Sequence, residues 1–147
     1  MKTSTQNPLN TLVQTLNDGI ELYIAASAKV EFDHIKVVFA EMIETRKFAL
    51  AYLQPYVMLE TGAPELGHTF GGVLHRVYNK ILDSEGGEHY QALMQLLELV
   101  EDETLKAMHN TLQKTNNIMV LSVIKQLMPH MESARANVLA LEVSLAA

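Results

Sequence analysis

The sequence predicts an all-α protein: four long helices in two hairpins, joined by a long crossover that carries a short extra helix. Three observations carry that expectation. Apolar residues recur at three- and four-residue steps over four stretches, the spacing of one face of a helix. Composition is 48 % hydrophobic but only 6 % aromatic and is rich in Ala, Leu and Glu, which favours helix over sheet. With 147 residues, one core can bury roughly 68 to 70 % of the unfolded surface without staples.

The first helix is expected over residues 8–29. Asn7 can cap its first free amides, and the fixed φ of Pro8 suits the first helical position. Leu9, Leu12, Val13, Leu16, Ile20, Tyr23 and Ile24 form its stripe. Gly19 interrupts that stripe at a cost of about 1 kcal/mol against alanine, which points to a close helix contact. Asp33 is expected to cap the second helix, 33–60, which turns Ile35, Phe39, Met42, Leu50 and Leu53 inward with one arginine, Arg46, among them. Pro55 removes a hydrogen bond and should kink this helix; Gly62 with Pro64 should end it.

The short helix follows over 72–82, and Asp83 to Gly87 reads as a turn by its two glycines. The third long helix, 88–113, has Glu101 on a stripe of Met94, Leu97, Leu105 and Met108. The fourth, 117–145, runs through Ile124, Leu127, Met131, Arg135 and Val138 and should bend at Pro129. Short turns make each pair antiparallel, and a connection of roughly 25 residues can cross the bundle into a ferritin-like order. The whole chain, 1–147, reads as one such bundle.

Composition also excludes functions. There is no cysteine, so no disulfide or thiolate metal site can form, and any metal must use oxygen or imidazole ligands. Seventeen acidic against eleven basic residues give a net charge of -6 and a pI near 5.4, without any Lys/Arg-rich segment. Neither nucleic acid nor a membrane is an expected partner. No apolar run reaches the 18 residues of a membrane span, and the first ten residues are polar where a secretory signal is apolar; the expected compartment is the cytoplasm. Neither a Gly-x-Ser-x-Gly elbow nor a phosphate loop is present. His75 and Arg76 read as bridging the short helix onto the bundle, and the eight methionines as adaptable core filling.

Several segments carry a resemblance. They are Asp18-Gly19-x-x-x-Tyr23-x-Ala25-Ala26, Phe39, Arg46-x-Phe48, Gly71-x-x-Leu74-His75-Arg76-x-Tyr78-x-Lys80, and Glu98-x-x-Glu101-Asp102-x-x-Leu105-Lys106. Together they resemble the uncharacterised bacterial branch of the ferritin-like, rubrerythrin-related superfamily over about residues 9–112. The resemblance implies the ferritin-like bundle and brings no established activity. The wider superfamily binds two iron or manganese ions with a glutamate from each of two helices and a Glu-x-x-His pair from each of the others. Here Glu44 has Lys47 at i+3, and the fourth helix has no Glu-x-x-His; family members tend to have a histidine near where Arg135 stands.

A buried carboxylate or guanidinium is costly unless paired. Arg46 and Glu101 are therefore expected to pair in the core, with Tyr23 and Arg135 completing a polar layer where relatives keep metals. On this reading the protein is non-enzymatic, has no cofactor, and acts through protein association, as a homodimer or with another protein. The alternative is an iron or manganese carboxylate protein, an oxidase or metal store, using Glu44, Glu98, Glu101 and His130. A third idea is a small-ligand cavity between the helices kinked at Pro55 and Pro129.

Overall fold

A computed structural model describes residues 7–69, 72–82 and 87–146. They form five helices: α1 (Pro8–Ser27), α2 (Asp33–Thr61), α3 (Gly72–Leu82), α4 (Gly87–Lys114) and α5 (Ile118–Ala146). Each boundary falls within two residues of the expected one, the ordinary margin for frayed ends. The turn expected over Asp83 to Gly87 falls largely on residues 83–86, outside the described ones, as does the side chain of His75.

Local chemistry accounts for the ends. Asn7 accepts a hydrogen bond from the Leu9 amide at 2.9 Å, and Pro8 follows at the first helical position. Asn117 does the same for α5, accepting from the Met119 and Val120 amides at 2.9 and 3.2 Å. Gly62 takes a left-handed φ of 87° and donates to the Met58 carbonyl at 2.8 Å, a C-terminal cap that glycine adopts without Cβ strain. Asp33 does not cap α2: Phe32 holds that position, and Asp33 lies in the first turn, where its charge meets the positive end of the helix dipole.

Four contacts define the arrangement. Thr111 at the end of α4 donates to the Pro8 carbonyl at the start of α1 at 3.2 Å, and Asn7 reaches Glu60 at the end of α2 at 2.7 Å. Phe48 of α2 meets His130 of α5, and Arg135 of α5 meets Glu98 of α4. Each of the four long helices thus packs antiparallel on two neighbours, in the cyclic order α1, α2, α5, α4. Since α2 and α4 run the same way, their connection must travel the length of the bundle. That requirement explains the long crossover.

The crossover is fastened by polar groups. Asn17 donates to the Glu65 and Gly67 carbonyls at 3.2 and 3.1 Å, and Gln54 both donates to and accepts from the Glu65 backbone. Asp18 accepts from the Thr69 amide at 2.9 Å and faces His68 Nδ1 at 2.8 Å. Beyond it, α3 packs on α4, with Tyr78 and Ile81 buried and the Tyr78 hydroxyl donating to the Ala25 carbonyl at 2.7 Å.

Apolar packing forms two clusters. One gathers Tyr23, Phe39, Met42, Leu97 and Val138, the other Leu16, Leu53, Met108, Ile124 and Met131. Each fully buried aliphatic or aromatic side chain contributes about 1.5 to 3 kcal/mol. Between the clusters lies a layer of buried polar side chains.

Candidate functional site

Arg46 is the largest fully buried side chain in the described residues. Its Nη2 donates to Glu101 Oε2 at 2.8 Å and to Thr104 Oγ1 at 2.9 Å. Its Nη1 points at the Thr15 and Leu16 carbonyls at 3.3 and 3.5 Å. Tyr23 donates to the same Glu101 oxygen at 2.6 Å, and Thr104 passes its own proton to the Val100 carbonyl at 2.8 Å. The guanidinium carbon lies 5.8 Å from the centroid of the Tyr23 ring, within cation–π range.

Each helix supplies what its position allows. From α2, Arg46 occupies one inward place in a run that is otherwise apolar. Tyr23 comes from α1, while Glu101 and Thr104 come from α4 at i and i+3, one face of the helix. Gly19 makes the approach possible. A Cβ there would fall inside the van der Waals radii of the Arg46 guanidinium, so the residue expected at a close helix contact admits an arginine head group instead.

Full desolvation makes the layer consequential. A salt bridge in water is worth little, whereas a buried one is expensive to break because the survivor is left as an uncompensated charge. Burial, and then the negative charge of Glu101, push the Tyr23 phenol well above its ordinary pKa, against the opposing pull of Arg46. Tyr23 is therefore a hydrogen-bond donor at neutral pH. Among the described residues, Arg46 Nε and Glu101 Oε1 have no protein partner; an internal water is the usual partner of such atoms.

Arg135 does not join this layer. It reaches outward, pairing with Asp102 and lying 3.8 Å from Glu98, with its side chain 36 % exposed. Its place between Met131 and Val138 put it on the inward stripe, but a long side chain can lay its stem along apolar surface and keep its charge in water. A second cation beside Arg46 would be far costlier. Glu98 also hydrogen-bonds Glu142, which, with burial and the Glu98 charge, raises the Glu142 pKa.

The four residues of the metal-binding alternative each have a different partner. Glu44 is exposed beside Lys47 at 3.7 Å, Glu98 answers Arg135, and Glu101 is held by Arg46. The His130 ring stands edge-on to Phe48, with centroids 6.0 Å apart. Among the described residues, no group of three or more His, Asp or Glu side chains is arranged to hold a metal ion. A small-ligand cavity is expected between the helices at Pro55 and Pro129; the cleft between α2 and α5, about 100 Å³, is bordered by Phe48, Tyr52 and His130, and neither proline lines it. A larger one, about 500 Å³, lies between α1 and α4, lined by Thr15, Thr69, Lys106 and His109. No described helix is long and apolar enough to cross a membrane.

Two features went unpredicted. Thr104 follows Glu101 by three residues on one face, a signal that was available. The clamp of His68 between Asp18 and Glu21, at 2.8 and 2.5 Å, joins residues about fifty positions apart and left no local trace.

Compared with known protein families, residues 4–114 match the family described as Domain of unknown function (DUF2383). No curated protein and no solved structure matches the chain. The match takes in the residues of the buried layer and stops short of α5. This chain, matched over most of its length, belongs to the DUF2383 family.

Proposed function

We propose that this protein is a ferritin-like bundle in which a buried arginine–glutamate layer has replaced a dinuclear metal centre, and that it acts by protein association rather than catalysis. One observation carries the reading: Glu101, the inward carboxylate of α4, has its Oε2 taken by Arg46 and Tyr23 in a fully buried site. A guanidinium is a permanent cation. Where it sits, a metal ion would meet both steric exclusion and like charge, and the carboxylate it needs is already neutralised.

Elemental analysis of protein produced with ample iron and manganese tests this. The expected result is near-zero metal per chain; about two ions per chain, the superfamily's complement, would sink the proposal. An Arg46→Ala variant with a metal content as low as the parent's agrees with the different partners of Glu44 and His130.

A further inference from the structure

The surface formed by α2 and α5 differs from the rest of the molecule. Phe48 and Tyr52 are each 48 % exposed and stack edge-on, 4.9 Å between centroids. Leu59 follows on the same stripe at 82 %, and Met119 of α5 is exposed at 59 %. Phe48, Tyr52, Pro55 and Leu59 share one helical face by their spacing. Opposite them, Met119, Ser122, Gln126, His130 and Ser133 recur along α5. None of these positions holds Asp, Glu, Lys or Arg, in a chain of net charge -6. By contrast, the side formed by α1 and α4 carries Glu103 and Lys106 and takes the polar crossover.

We infer that the α2–α5 face is the surface on which a second copy of this chain packs, as a two-fold symmetric dimer. The inference rests on the association reading above and gives it a partner and a place. Size fits: 29 residues per helix extend about 43 Å. Two such helices side by side present about 800 Å² per partner, the standard half of a stable interface.

Charge selects the occupant. An anionic membrane repels an acidic chain, and a basic partner would seek the charged faces. A second acidic copy meets least repulsion where acid is sparsest, and the stripe from Phe48 through Tyr52 and Pro55 to Leu59 holds none. A two-fold contact sets a patch against itself. With α2 antiparallel to its counterpart and the axis between Phe48 and Tyr52, Phe48 of one copy meets Tyr52 of the other. The nearest acids on that stripe, Glu41 and Glu44, then fall opposite Leu59 and Tyr56 of the other copy, so no like charges meet. On α5, the same axis passes close to Gln126.

Sedimentation of the full chain up to about 100 µM is the test. A dimer is expected, with its Kd raised at least about thirtyfold by Phe48→Glu and unchanged by Leu99→Glu, an exposed apolar position on α4. Circular dichroism should show full helicity in both, since neither side chain is buried. Because the chain has no cysteine, a Gln126→Cys variant can be linked only through that position. It should form a disulfide dimer under mild oxidation well before Asn110→Cys on α4. A monomer at the highest concentration, a dimer indifferent to Phe48→Glu, or equal cross-linking at the two positions would overturn the inference. An indifferent dimer would leave association standing and move the face; bound metal would sink the functional proposal without touching the dimer.

Discussion

Arg46 and Arg135 both answer carboxylates of α4, yet one does so in the core and the other in water. Arg46 is wholly buried with five polar atoms around its head group and its neighbours. Arg135 meets Asp102 and Glu98 at a surface where solvent screens both partners. The same pair of charges therefore has two meanings. Inside, neither partner can be lost without stranding the other; outside, either can be replaced by water.

The comparison breaks hardest at Glu101. Glu101→Ala should cost about 3 to 5 kcal/mol by leaving Arg46 unpaired, read as a lower urea midpoint. Replacing both partners, Arg46→Met with Glu101→Leu, should restore most of that loss, since apolar groups of similar volume need no partner. A stable Glu101→Ala protein would show that the layer is already hydrated.

Tyr23 comes next. Tyr23→Phe removes a donor to a buried carboxylate and should cost about 1.5 to 3 kcal/mol at neutral pH. Its raised pKa also sets a direction with pH. Folding favours the protonated phenol, so this contribution is whole below the unfolded value near 10 and declines as pH rises through and beyond it. An alkaline stability profile that is steeper for the parent than for Tyr23→Phe would show this.

Gly19→Ala is a subtler probe. Alanine's better helix propensity offsets about 1 kcal/mol, but its methyl collides with the guanidinium, and overpacking costs about 1 to 3 kcal/mol. A net loss is expected, and it should vanish in an Arg46→Met background, a coupling that a double-mutant cycle measures. Arg135→Ala should have the smallest effect: an unfolding midpoint close to the parent's, with any difference shrinking further in high salt.

Helix positions were legible in the sequence because period and caps are local, and because Asn7, Pro8 and Gly62 each have one obvious structural use. Arg46 and Glu101 were legible for the opposite reason: each interrupts an apolar run, and a buried charge demands a partner. Arg135 interrupts a run just as visibly. Its fate depended on which way a flexible stem turned, which no spacing specifies. The His68 clamp depends on where the crossover lands on α1, a tertiary outcome, and the α2–α5 face emerges only once it is known which helices the crossover leaves uncovered.

The buried layer also works as a register mark. Smooth apolar stripes such as those of the two clusters would pack almost as well after α2 slid one turn, about 5.4 Å, along α4. Such a slide would drive Arg46 into the aliphatic cluster on one side and leave Glu101 facing hydrocarbon on the other. Misaligned bundles are thereby penalised twice, and a single buried polar contact can set alignment in this way. Two greasy halves that could mate in several ways are held to one.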